Sequence, residues 1–230
     1  MKHLLRNGLA AAALTGALCG PALAQAPLEI EDLFEIRTAS GAQLSPDGRQ
    51  VAFTVFDPRN VAAGEADGAG DVELYVASGP DQVRSYVIGQ GRVGGVAWTP
   101  DGQALTFLAR RDGDAATSLY RIALNGGEAR RVFSFDTSIQ SYAIGPDGDT
   151  LYFITGPAQD PAARRFAEMG FRANVYEEQQ RFNRLFKASL SQPDTAPEPI
   201  EVEGHPSALV LSEDGRRLAV VVAPSTLVDD

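Results

Sequence analysis

Few residues of this chain could do chemistry. Two adjacent carboxylates stand in the string Val175-Tyr176-Glu177-Glu178. Such a pair can together accept the donors of an ammonium group and offset its desolvation. Arg172, Arg181 and Arg184 flank them, so the same segment reads first as a solvated surface of mixed charge that needs no ligand. The chain has two histidines, His3 and His205. His205 precedes Pro206, has no nucleophile motif to serve, and reads as a loop or strand-edge residue. No G-x-S-x-G string occurs, so the strand-to-helix turn that presents a serine nucleophile is missing and no catalytic residue is assigned.

The start of the chain narrows the chemistry further. Lys2 and Arg6 precede an apolar run from Gly8 to Cys19, followed by Pro21, Ala22 and Ala24. That order predicts a secretory signal peptide over 1–24, cleaved after Ala24, with cleavage after Ala26 as the alternative. The apolar run is too short for a permanent span of ~20 residues, and Leu18 before Cys19 argues against a lipoprotein anchor. Removal of 1–24 takes the only cysteine and His3. What remains offers no disulfide framework, no thiol nucleophile and too few ligands for a zinc site. No cofactor is expected, and the expected location is periplasmic or secreted. The net charge of −10 and pI near 4.7 exclude nucleic acid as a natural partner. A membrane partner is not expected either.

These residues are carried by a repeat. Ser45-Pro46-Asp47-Gly48 precedes QVAFTV, Thr99-Pro100-Asp101-Gly102 precedes ALTFLA, and Gly145-Pro146-Asp147-Gly148 precedes TLYFIT. Ser212-Glu213-Asp214-Gly215, which has lost its proline, precedes RLAVVV. Proline pre-sets φ, aspartate bonds back to the backbone, and glycine takes the positive φ that re-enters a strand, so each copy predicts a tight hairpin. Ala42 to Leu44, Val96 to Trp98, Tyr142 to Ile144 and Leu209 to Leu211 supply the strand before each turn. Leu74-Tyr75-Val76, Leu119-Tyr120-Arg121 and Leu185-Phe186-Lys187 supply third strands. Ser85 to Ile88, Arg131 to Phe135 and Pro199 to Val202 supply fourth ones.

Four antiparallel strands per unit, at a period near the ~40 to 50 residues of propeller blades, define an all-β fold of stacked blades. The expected blades are 41–90, 91–137, 138–204 and a truncated 205–230, about three and a half in all, after a short helical lead over 25–40. In that lead Ile30, Leu33 and Phe34 fall at helical spacing. Only Ala223 to Asp230 follow the last strand, and the open sheet edge this implies predicts a portion of a longer protein. Trp98 is expected to pack between blades, Gly64 to Asp71 to form a connector, and Gly89 to Gly95, with no helix after them, to hold no phosphate.

The exported start, the opening LEIEDLFEIRTASGAQLSPDGRQVAFTV and the immediate Asp-Gly-turn blades together resemble bacterial serine peptidases of the prolyl oligopeptidase family, the acylaminoacyl and dipeptidyl peptidases. The resemblance runs over Pro27 to Asp230. It implies a propeller that gates peptide substrate for a C-terminal α/β-hydrolase domain of the same parent chain, where a Ser-His-Asp triad does the catalysis. This chain alone is then inert. The resemblance also implies a role for Glu177 and Glu178, which match the double-glutamate string by which dipeptidyl peptidase IV-like enzymes hold a substrate's free amino terminus. They lie in an insertion between Thr155 and Leu185 and run directly into FNRLFKASL, the expected third strand. The rival reading is a non-enzymatic, TolB-like periplasmic propeller that binds other proteins, although such proteins carry a separate domain ahead of the propeller.

Overall fold

The computed structural model describes residues 29–89, 91–157, 160–171 and 180–227. Within them the chain forms three four-stranded antiparallel sheets and one two-stranded sheet, each in sequence order. The first sheet is β1 (Thr38–Leu44), β2 (Val51–Asp57), β3 (Asp71–Gly79) and β4 (Gln82–Val87). The second is β5 (Gly94–Trp98), β6 (Ala104–Ala109), β7 (Ser118–Ala123) and β8 (Arg130–Phe133). The third is β9 (Ile139–Ile144), β10 (Thr150–Thr155), β11 (Arg184–Ser189) and β12 (Glu198–Ile200). Strands β13 (His205–Leu211) and β14 (Leu218–Ala223) pair alone. This is the blade pattern of an incomplete propeller.

The Asp-Gly turns are hairpins built on a hydroxyl. Ser45 Oγ donates to Asp47 Oδ1 at 2.7 Å and accepts from the Gln50 amide at 2.9 Å. Thr99 and Ser212 repeat both bonds, with Asp101 and Ala104 and with Asp214 and Arg217. The turn glycines all take positive φ, +71° at Gly48 and +69° at Gly215, a conformation that costs other residues energy.

The third copy has glycine where the others have the hydroxyl, and Thr150 replaces it from the far side. Thr150 Oγ1 donates to Asp147 Oδ2 at 2.6 Å while its amide donates to Oδ1 at 3.0 Å. A Cβ on Gly145 would lie 2.7 Å from Asp147 Oδ1, so the two substitutions are coupled. Gly145→Thr and Thr150→Ala should each destabilise by about 1 kcal/mol, whereas the double change rebuilds the Thr99–Ala104 arrangement and should recover most of the loss. Urea unfolding of the four proteins measures that coupling; simple additivity would refute it.

Blades join through their faces. Leu74 and Val76 of the first pack with Phe107, Tyr120 and Ile122 of the second. Leu108, Leu119 and Phe133 of the second pack with Leu151, Phe153 and Phe186 of the third, and Ile154 and Leu185 pack with Leu209. One cross-strand aromatic pair recurs at the same register: Phe53 with Tyr75, Phe107 with Tyr120, and Phe153 with Phe186, all stacked. The expected place of Trp98 holds, since it packs against the cluster of the first two blades and donates from Nε1 to Gln43 O at 2.9 Å.

Among its described residues the lead contains a single 3-10 turn, Glu31–Phe34, and β1 already begins at Thr38. Ile30 and Leu33 are exposed and only Phe34 is half-buried, so little apolar surface receives the helical spacing, and a short helix with so little support is marginal. The insertion holds a helix that the apolar pattern does not announce, α1 (Pro161–Glu168), started by Asp160, whose side chain accepts from the Ala162 amide at 2.8 Å, and by Pro161 in the first turn.

Candidate functional site

Alternation of strand direction sorts the connections onto two rims. One rim carries the Asp-Gly turns. The other carries the β2–β3, β6–β7 and β10–β11 connections, the links from blade to blade and the lead. The long insertion is the β10–β11 connection, so its described residues, helix α1 among them, belong to the second rim. The polar clusters described below lie on that rim too.

The first cluster moors the end of the insertion. Asn183, buried just before β11, donates from Nδ2 to Gln140 Oε1 at 2.7 Å and to Pro206 O at 3.0 Å. Its own amide donates to His205 Nδ1 at 3.2 Å. Phe182 lies against the imidazole with ring centroids 6.2 Å apart. His205 opens β13, in keeping with the strand-edge reading, and acts as a structural acceptor joining the third blade to the two-stranded sheet. Nearby, the hydroxyls of Thr137 and Thr155 bond to each other.

The second cluster sits on the first blade. The buried Glu73 accepts from Tyr75 at 2.6 Å and from Arg37 at 2.7 Å, and Arg37 also reaches Asp57 at 3.3 Å. The bond to Glu73 is the main cause that raises the Tyr75 hydroxyl above its ordinary range. The third cluster sits on the second blade. Asp114, with a side chain only 4% exposed, accepts from Tyr120 at 2.5 Å, from Arg131 at 2.6 Å and from the Arg111 amide at 3.0 Å. Burial pushes the Asp114 carboxyl up, but the donated hydrogen bonds outweigh it and hold it below the usual carboxylate range. Burial, then the bond to Asp114, pushes the Tyr120 hydroxyl up to about 12.

Of the residues singled out from sequence, Glu177 and Glu178 lie outside the described residues, as does Arg172. Arg181 is exposed, and Arg184 is half-buried at the start of β11. Asn183, Gln140, Glu73, Arg37 and Asp114 carry no signal in the sequence, because each finds its function through partners on other strands or loops. Among the described residues no group of three His, Cys, Asp or Glu side chains is placed to hold a metal ion.

The fold and its connections define a β-propeller segment with a polar, insertion-bearing rim. No family model matches the chain. The uncharacterized peptidase YuxL of Bacillus subtilis (strain 168) is 28% identical over 122 residues, which cover 53% of this chain and 18% of that protein. A solved structure from a study of two prolyl endopeptidases superimposes with a TM-score of 0.53 at 15% identity, covering 82% of this chain and 26% of that one. Puromycin hydrolase gives 0.53 at 17% identity, covering 81% and 25%. At these identities the structural likeness defines the fold. Together with the sequence relative it makes the chain similar to the propeller part of prolyl oligopeptidase family peptidases. The chain spans about a quarter or less of the length of each of these relatives.

Proposed function

We propose that this chain is the substrate-gating propeller portion of an exported serine peptidase that hydrolyses bonds in short peptides. The single observation that carries the reading is the sequence relationship to a peptidase over 122 residues of a chain whose described residues fold as propeller sheets. An α/β-hydrolase domain of the same parent supplies nucleophile, base and oxyanion hole. The propeller limits access and positions peptide ends. Lys2, Arg6 and the apolar run that follows them support export, and the periplasm or the exterior is the proposed location.

Within this reading Glu177 and Glu178 hold the substrate's free amino terminus. Fixing that end sets how far the chain reaches toward the nucleophile, so the anchor acts by orientation as well as by affinity. In the full-length product, replacing both with Gln should lower kcat/KM for peptides with a free amino terminus by about tenfold or more, since a charge-assisted bond contributes roughly 1.5 to 3 kcal/mol. Peptides blocked at that end should be cleaved as before. Equal loss on blocked and free peptides would reject the anchor, and absence of any peptide hydrolysis by the unaltered product would reject the peptidase itself.

A further inference from the structure

Among the described residues the recurring polar cluster is incomplete in the third blade. In the first blade the tyrosine of the aromatic pair meets a carboxylate that also takes an arginine: Tyr75, Glu73 and Arg37. The second blade repeats the set with Tyr120, Asp114 and Arg131. In the third blade the tyrosine is Phe186, without a hydroxyl. Arg184 stands where Glu73 stands in the first blade: Glu73 pairs with Val55, Arg184 with Thr155, each two residues beyond the phenylalanine of its pair. Among the described residues no carboxylate takes its place there, and an arginine stands instead.

That arginine is poorly served by its surroundings. Its guanidinium carbon lies 5.2 Å from the Phe186 ring centroid and 5.8 Å from that of Phe135. Nε is buried and has no hydrogen-bond partner among the described residues. Among the described residues no ion pair reaches the side chain. A guanidinium stays charged at any ordinary pH, so a half-buried one must be compensated. Two aromatic faces supply part of this by cation–π attraction, but they offer no acceptor to its N–H fork. A carboxylate matches that planar fork in both charge and geometry. Phe135 lies in the β8–β9 link and Arg184 opens β11, which puts the guanidinium on the insertion-bearing rim.

We infer that Arg184 is a binding point for a ligand carboxylate. Taking the carboxylate to be that of a peptide rests on the function proposed above; the site itself does not. The test uses N-acetyl-trialanine with a free C-terminal carboxylate, its C-terminal amide, and acetate, each titrated calorimetrically into the chain and into the variants Arg184→Met, Arg184→Lys and Glu177→Gln/Glu178→Gln. The free acid should bind at least tenfold tighter than the amide. Arg184→Met should erase that preference, and Arg184→Lys, which keeps charge but not the fork, should keep part of it. Acetate binding that vanishes in Arg184→Met sustains the carboxylate site even where neither peptide binds, so failure of the peptide reading is separable from failure of the site. Should Arg184→Met not fold, the acid-to-amide ratio in the unaltered chain and in Arg184→Lys decides. Equal binding of acid and amide with no acetate binding overturns the inference. So does a preference that survives in Arg184→Met, or acid binding that emerges only when Glu177 and Glu178 are replaced, which would show the chain's own carboxylate in the site.

Discussion

Replacing Phe153 with Ala should cost about 3 to 5 kcal/mol and separate the second blade from the third. Phe153 is fully buried in the middle of β10. It stacks on Phe186 at 5.4 Å and meets Phe133 and Phe135 edge-on at 5.1 and 5.3 Å. Phe133 belongs to β8 and Phe186 to β11, so one side chain ties the last strand of one blade to the third strand of the next. Truncation leaves a cavity that neither sheet can close by itself, because both are held by their own ladders. Chemical denaturation should show a lower midpoint. Phe186→Leu, which keeps apolar volume, should cost much less. A loss under 1 kcal/mol for Phe153→Ala would mean that the blades are not joined here.

The second large effect is expected at Asp114. Its replacement by Ala leaves the Tyr120 hydroxyl and the Arg111 amide without their acceptor, at a cost of about 2 to 3 kcal/mol near neutral pH. Arg131 is half exposed, so water takes over much of its share. The sign with pH follows from the direction of the shift. The folded carboxyl titrates below its ordinary value, so its stabilisation is complete above the unfolded pKa of ~3.9 and is lost as pH falls through the lower, folded value. The gap between wild type and Asp114→Ala should therefore be widest near neutral pH and close in strong acid. A gap that stays constant down to pH 2 would contradict the assignment. Asp47, Asp101, Asp147 and Asp214 are lowered as well, first by the hydroxyl donors of their turns, so they add to the same acid limb.

Much of the fold was legible in the residues. The Asp-Gly turns announced their hairpins because proline, aspartate and glycine act within one loop, and the strands beside them alternate plainly. Trp98 could be placed because it directly precedes a turn. The substitution of Thr150 for the hydroxyl absent at Gly145 was not legible, since its meaning appears only when the copies are superimposed as turns. Helix α1 escaped because its start signal, Asp160-Pro161, is not followed by a buried apolar stripe: Phe166 and Met169 are exposed. The site was less readable than the fold. Asn183 gains its meaning from Gln140 and His205, and Glu73 from Arg37, through pairings that chain order does not encode. Arg184 entered the sequence reading only as one of the arginines beside a glutamate pair. Its seat on Phe135 and Phe186 gives it a separate character.

The most direct test lies in the reading frame that follows Asp230 in the source genome, together with serine-directed fluorophosphonate labelling of the product it encodes. The peptidase account predicts further blades, then an alternating strand and helix pattern containing G-x-S-x-G, with Asp and His after it in that order, and a label that is lost when that serine becomes Ala. A frame that closes the propeller without such a domain, or a product that takes no label, would contradict it.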